Sequence, residues 1–436
     1  MMPRLGIVAD DITGAGDIGG LLAGHGYAVR ILSQGADWEG LCARLAQERT
    51  DALIIDTDSR FLPPDAARER VERATRALMA TGCGAYWKKT CSVFRGNVGA
   101  EFDAMLGTLG ENFGVAVAAF PKNGRTTLHG DHFVRGVPLP DTEFGQDPVH
   151  PRREVNLVRD LGTQTPHRVI NLPIETVREG VRAVRTRREE LEREGVRYVL
   201  ADAETQSDLR VLAEALSGER VFLGSSGLAE ELPAVWPPVE PFDPLSGARW
   251  THPRQVVMIA GSVMPQSRAQ VEHYAARGGT VHELDVDLAL RDPERASRLL
   301  ADLALGTLHT HDTVLLRSPN SPEQVEAARE VGAALGLHGI EVSQRVSGVL
   351  AEAARITACE AGTQKLVALG GDTSAALTRA LGVTHTVVVQ ELAPGLPSTY
   401  APDEGLLLVL KSGSFGPPDF LALAIDHLQR AHGEQA

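Results

Sequence analysis

Residues 5–17 read LGIVADDITGAGD. A five-residue apolar run, Leu5–Ala9, ends in two adjacent carboxylates, Asp10 and Asp11, and passes straight into a glycine-rich stretch. A short buried strand that turns directly into a helix is how a βαβ unit begins. Outward from it, β-branched runs recur at Tyr27–Leu32, Ala52–Asp56, Val115–Ala119, Arg168–Asn171, Arg197–Ala201 and Val221–Gly224. Amphipathic stretches separate several of them. In one, predicted as a helix over Ile174–Glu194, Ile174, Val177, Val181, Val184 and Leu191 recur near a 3.6-residue period. The alternation predicts an α/β fold built on a mainly parallel sheet.

Residues 237–254 (PPVEPFDPLSGARWTHPR) carry five prolines and fit neither a helical nor a strand period. They read as a linker. Beyond them the alternation restarts, with strands expected near Gln255–Ala260, Thr280–Leu284, Thr313–Arg317, Lys365–Leu369, Thr386–Gln390 and Leu406–Leu410. The expectation is two domains, 1–236 and 255–436, each a mainly parallel sheet flanked by helices, with the active site in the cleft between them. One stretch, 121–152, shows no convincing element; a loop that long inside a domain is usually functional or disordered, and its Arg, His, Asp and Gly content favours a binding loop. The Arg-rich segment Arg182–Arg193 is interleaved with Glu at helical spacing and reads as a solvated face.

Composition narrows the function. Of 436 residues, 57 are acidic and 43 basic, a net charge of −14, which argues against a nucleic-acid or anionic-membrane binder. Apolar runs such as GVAVAAF at 114–120 fall far short of the ~20 residues needed to span a bilayer. The amino terminus reaches Asp10 and Asp11 before a signal-peptide core could form. Four cysteines without a C-x-x-C spacing suggest neither a disulfide framework nor a zinc site. The chain reads as soluble and cytoplasmic, acting on small molecules; a homodimer is left open.

Gly14-Ala15-Gly16-Asp17-Ile18-Gly19 matches the dinucleotide fingerprint G-x-G-x-x-G, yet four residues separate it from the strand, two of them carboxylates that would repel a pyrophosphate. Ser33-Gln34 stand where the second strand should be followed by an acid for the ribose hydroxyls. The glycines read instead as a close helix–sheet contact. Asp10 and Asp11 lie at the carboxyl end of the first strand, where open α/β sheets bind ligands. They can hold a substrate hydroxyl or accept its proton, with a helix cap as the bland alternative.

Other strand ends carry cations. DTDSR brings Arg60, and KKTCSVFRGN brings Lys89 and Arg95, to the rim of Asp10 and Asp11. Such a set suits a small polyhydroxy acid. In the second half three strand ends run through glycine turns into helices: Gly261-Ser262, Gly370-Gly371-Asp372-Thr373-Ser374, and Lys411-Ser-Gly413-Ser414-Phe-Gly416. Glycines allow close backbone approach and helix N-termini face phosphate oxygens, so three such loops point to a nucleotide although no Walker pattern exists.

In this order, VADDITGAGD, DTDSR, KKTCSVFRGN, GRTTLHGDHFVRGVPLPDTEFGQDP, GSSGLA, GSVMPQSRAQ, GGDTSAAL and KSGSFG resemble the four-carbon acid sugar kinase family over nearly the whole chain. The resemblance implies a sugar-binding amino-terminal domain, a nucleotide-binding carboxyl-terminal domain, ATP with Mg²⁺, and phosphorylation of a tetronate hydroxyl. It places substrate contacts on Asp10, Arg60 and Lys89, Thr90, Cys91 and Ser92, beside which stand Arg95 from the charge pattern and Asn97 of the Arg-Gly-Asn element. It places ATP contacts on Ser262, on Gly370, Gly371, Asp372 and Thr373, and on Gly413, Ser414 and Gly416. Asp10 is the expected catalytic base, with Asp11 second; no metal ligands are assigned. Many members carry Lys-x-Asp-Ser-Thr-x-x-Arg-Gly-Asn where Lys89–Asn97 has Cys91 for the carboxylate and Val93 for the hydroxyl. The Cys-Ser-x-Phe element resembles the branch acting on oxo-tetronates.

Two alternatives stand beside this reading. One is a ligand-binding or regulatory relative that lost catalysis, supported by Cys91 and Val93. The other is a dinucleotide-dependent dehydrogenase, which requires the glycine pattern to bind a nicotinamide cofactor.

Overall fold

A computed structural model describes residues 5–147 and 150–431. The chain forms two compact units, one ending at Phe242 and the other beginning at Asp243. The Pro-rich segment 237–254 is divided between them. Arg49 donates to the carbonyl of Pro241 in the first unit, while Leu245 and Trp250 pack on the apolar core of the second.

The described residues of the first unit form eleven strands: β1 Leu5–Ala9, β2 Val29–Leu32, β3 Ala52–Asp56, β4 Ala85–Lys89, β5 Gly114–Val117, β6 Arg125–Leu128, β7 Asp131–Val134, β8 Val137–Pro138, β9 Val169–Leu172, β10 Tyr198–Ala201 and β11 Val221–Gly224. Eight form an all-parallel sheet in the order β2-β3-β1-β4-β11-β5-β10-β9. Burial on both faces explains the near-continuous apolar runs of β1, β2 and β3. β1 lies between β3 and β4, with Ala9 opposite both Asp56 and Lys89. The residues after these three strands therefore leave the sheet along one edge.

Two expectations are corrected here. The stretch 121–152 is not an element-free loop: β6, β7 and β8 form a small antiparallel sheet, accompanied by short 3₁₀ turns. Its hairpins turn through His129-Gly130 and Arg135-Gly136, each with both residues at positive φ (51° and 79°, 53° and 77°). Positive φ at both central residues marks the type I′ turn that closes tight hairpins. The helix expected over Ile174–Glu194 is two helices, Ile174–Arg178 and Val181–Arg193, because Gly180 (φ 103°) is not helical. The apolar periodicity runs across the break unaltered.

The second unit holds β12 Val256–Ala260, β13 Val281–Glu283, β14 Thr313–Arg317, β15 Lys365–Leu369, β16 His385–Ala393, β17 Leu396–Ala401 and β18 Leu406–Lys411, in the order β13-β14-β12-β15-β18-β17-β16. The first five are parallel; β17 runs antiparallel to β18 and β16. Ala260 lies opposite Leu369, and Leu369 opposite Lys411, so the three glycine turns also leave one sheet edge. Among the described residues no helix is long and apolar enough to cross a membrane.

Candidate active site

At the edge formed by β1, β3 and β4, the turn after β3 is stitched to Asp10. The amides of Ser59 and Arg60 donate to the Asp10 carbonyl at 3.0 and 3.3 Å, and the Thr57 hydroxyl donates to the Ala9 carbonyl at 2.7 Å. This aims Arg60 back at the strand end. Its Nε and Nη2 fork onto Asp10 Oδ2 and Oδ1 at 2.9 and 3.0 Å, and Nη1 reaches Asp11 Oδ2 at 2.5 Å. All three residues are buried. Burial alone would raise the Asp10 carboxyl, but Arg60, Lys88 and Lys89 more than offset it and hold it below the ordinary carboxylate range. Asp11 is also the N-cap of the helix Ile12–Gly24, accepting from the Gly14 amide at 2.7 Å and from the Thr13 hydroxyl at 2.9 Å. The cap and the ion pair coexist on one side chain.

The remaining cations of this edge converge as well. Lys89 Nζ donates to the Thr90 carbonyl at 3.2 Å and lies 3.4 Å from Asp17 Oδ2. A side chain at Gly14 would sit 2.6 Å from Asp11 Oδ1 and 3.1 Å from Lys89 Nζ, so that glycine serves close packing against the carboxylates and the ammonium. Arg95 donates from Nε to Cys91 Sγ at 3.4 Å and from Nη1 to Asp147 Oδ2 at 3.0 Å, and lies over the Phe144 ring. Burial would raise the Cys91 thiol, yet Arg95 and Arg60 bring it below the usual thiol range. Asn97 clamps the Arg60 turn, donating to the carbonyls of Ser59 and Leu62 at 3.3 and 2.8 Å. Thr90 and Ser92 are buried beside them. Val93 is wholly enclosed in the apolar core.

Three residues of this cluster escape the sequence reading. Lys88 and Glu101 form a fully buried ion pair (Nζ–Oε2 2.9 Å) behind Asp10, and the Ser59 hydroxyl donates to Glu101 Oε1 at 2.5 Å. Asp17, on the first helix, meets Lys89 and the hydroxyl of Ser226, while its Oδ1 is buried without a hydrogen-bond partner among the described residues. Burial raises the Asp17 carboxyl more than Lys89 lowers it. The GSSGLA motif supplies Ser226. Asp17 had a signal, a carboxylate one turn beyond Gly14 on a helix otherwise apolar; Glu101, 42 positions from Ser59, had none.

In the second unit the three glycine turns meet. Gly370 (φ 121°) precedes the helix Gly371–Ala380, whose N-terminus no side chain caps. The Gly370 amide donates to the Lys411 carbonyl at 2.7 Å, and the Gly261 amide to Leu369 at 3.2 Å. A Cβ at Gly413 would fall 2.3 Å from Ser262 Oγ, and one at Gly261 2.4 Å from Thr373 Oγ1. Ser262, Thr373 and Gly413 are thus neighbours, and Ser267 Oγ ties the last turn down through the Gly413 carbonyl at 2.8 Å. Asp372 accepts from Ser343 Oγ at 3.3 Å; Ser414 is buried, and Gly416 turns the chain at φ 85°. This is a cradle of glycine backbone, hydroxyls and an uncapped helix start, the donor set that suits phosphate groups. Among the described residues no three His, Cys, Asp or Glu side chains form a metal-binding group.

Comparison with known proteins assigns both units to known domain types. A model of a sugar-binding N-terminal domain matches residues 5–232, and a model of a nucleotide-binding C-terminal domain matches residues 257–421. A 3-oxo-tetronate kinase of Brucella melitensis biotype 1 is 31% identical over 423 residues, covering 96% of this chain and 94% of its own. The chain belongs to the four-carbon acid sugar kinase family. It is a carbohydrate kinase with a nucleotide-binding domain. A second 3-oxo-tetronate kinase, from Burkholderia multivorans, is 33% identical over 98% of both chains. A solved structure from Salmonella typhimurium LT2, provisionally described as a tRNA synthase, shares the fold of this kinase: TM-score 0.79 and 27% identity over 97% of this chain and 98% of that one.

Proposed function

We propose that the protein is an ATP-dependent kinase that phosphorylates a hydroxyl of a 3-oxo-tetronate. The observation that carries this reading is the end-to-end similarity to 3-oxo-tetronate kinases, joined to the Cys91-Ser92-x-Phe94 element, which resembles that of the oxo-tetronate branch.

In this reading Arg95 and Lys89 receive the acid's carboxylate, since both carry hydrogen-bonding capacity beyond their present partners. The fork of Arg60 is occupied by Asp10, so Arg60 acts chiefly by keeping that carboxylate ionised and aimed. Asp10 accepts the hydrogen bond of the acceptor hydroxyl. Phosphoryl transfer passes through a loose transition state, and the acceptor proton leaves late. A carboxylate held below its ordinary range is then suited to orienting the hydroxyl and taking its proton as the new P–O bond forms. Asp11 has less free capacity, being divided between the helix cap, Thr13 and Arg60. Thr90, Cys91 and Ser92 line the acid, and Asn97 acts through the Arg60 turn.

ATP phosphates lie on Ser262, on the backbone of Gly370–Thr373 and on the turn Gly413–Gly416. Mg²⁺ would travel with the nucleotide, neutralising charge on the phosphates and ordinarily needing only one or two carboxylates besides phosphates and water. The test is ADP release by the purified chain with ATP, Mg²⁺ and a panel of 3-oxo-tetronate, threonate and erythronate stereoisomers. Preference for a 3-oxo acid supports the reading; turnover restricted to the reduced acids redirects it to another branch.

A further inference from the structure

Lys411, the last residue of β18, has a side chain with no exposure at all. Its Nζ donates to the carbonyls of Ser412 and Gly413 at 2.6 and 3.3 Å and to Ser267 Oγ at 3.2 Å. All three acceptors are neutral, and no carboxylate lies within ion-pair distance among the described residues. An enclosed cation without an anion is costly, and the protein normally supplies a partner or gives up the charge. Here the amine sits directly behind the turn Gly413–Gly416, and its own backbone carbonyl holds Gly370 of the neighbouring turn. The missing anion and the proposed phosphate cradle are in the same place.

We propose that Lys411 is the buried counter-charge of the bound nucleotide, and that ATP binding draws a proton from solvent onto its amine. The inference rests on the ATP reading given above. Lys411 is a positioning residue: protonated, it grips the carbonyls of the Ser412-Gly413 turn and presents a positive field to phosphates on the other side. Burial alone lowers its amine from the ordinary lysine range to about 7. The ionisable groups on the surrounding elements leave it unpaired. Lys365 and Tyr400 lie four residues down β15 and β17 from the register of Lys411, Arg268 and Glu272 belong to the helix Pro265–Ala276, and Asp372 is engaged with Ser343. Burial, rather than any of these groups, depresses the amine.

The sign follows directly. Free, the amine is mostly neutral near pH 8; with phosphates beside it the charged form is favoured, so binding takes up protons. Calorimetry of the full chain with MgATP near pH 8, repeated in buffers of different ionisation enthalpy, reads that number as a slope. The expected uptake is about 0.9 proton per ATP if the amine returns to its ordinary range, with ATP affinity weakening about tenfold per pH unit above that. Lys411→Met is expected to bind ATP at least about tenfold more weakly, with a slope near zero and pH-independent affinity. Unliganded near pH 8, it should melt no lower than wild type, since the cost of burying and discharging an amine is gone. Wild-type binding with zero slope overturns the inference while leaving the ATP reading intact, and needs no variant to fold. An unchanged slope in Lys411→Met overturns it equally. A wild-type chain giving no heat with MgATP defeats the ATP reading itself.

Discussion

Replacing Arg60 by methionine removes the fork that pairs Asp10, and the geometry sets the size of the loss. Three charge-assisted bonds disappear, two to Asp10 at 2.9 and 3.0 Å and one to Asp11 at 2.5 Å. At about 1.5–3 kcal/mol each they would sum to roughly 5–9 kcal/mol. Bonds sharing one guanidinium are not additive, and the orphaned carboxylates can protonate, so the loss should settle near the ~3–5 kcal/mol found for breaking buried pairs. The pH dependence has a definite sign. In the wild type the Asp10 carboxyl is depressed, so its pairing contributes stability above the unfolded carboxylate range, and this is lost as pH falls through the folded value. Without Arg60, burial dominates and the carboxyl rises. The penalty of Arg60→Met should therefore be largest near neutrality and shrink toward acid. Urea unfolding of the full chain reports it, because three of the four tryptophans, Trp38, Trp87 and Trp236, lie in this unit. The double variant Arg60→Met/Asp10→Asn should regain at least half of the loss. Wild-type stability in the single variant at neutral pH, or no recovery in the double, refutes the pairing argument.

Three further outcomes follow from the same geometry. Asp10→Asn should lower turnover ~10²-fold or more while ATP affinity, measured by calorimetry, stays within about twofold; a wild-type rate would leave Asp10 a merely structural partner of Arg60. Arg95→Ala should raise KM for the acid by roughly 10- to 150-fold and leave KM for ATP nearly unchanged; equal rises in both would place its role in folding. Gly413→Ala puts a Cβ 2.3 Å from Ser262 Oγ and 2.9 Å from Met264 Cγ. It should weaken ATP binding at least about tenfold at a stability cost of ~1–3 kcal/mol, and wild-type affinity would show that the turn lies away from the nucleotide.

Much of this site is legible in the chain because parallel strands deliver their carboxyl ends to one edge. Once Leu5–Ala9, Ala52–Asp56 and Ala85–Lys89 are seen as strands, Asp10, Arg60 and Lys89 must converge, whatever their separation in sequence. The same logic gathers Ser262, Gly370 and Gly413. What the chain hides is the supporting layer. Glu101 sits on a helix face that nothing marks as polar-inward, and its pairing with Lys88 depends on how that helix docks. Prolines and polar residues hide the small sheet of β6–β8 in the sequence, although His129-Gly130 and Arg135-Gly136 form its turns. β17 carries Pro397 and Ser398 and shows no strand pattern of its own; the backbone pairing with β16 and β18 makes it one.

The most direct measurement is transfer of the γ-phosphate from labelled ATP to 3-oxo-tetronate by the purified full chain, with the product identified by mass spectrometry. The proposed function predicts a labelled phosphotetronate formed in step with ADP, strictly dependent on the acid and on Mg²⁺. Absence of any labelled acid across the tetronate panel, with ATP demonstrably bound, would contradict it.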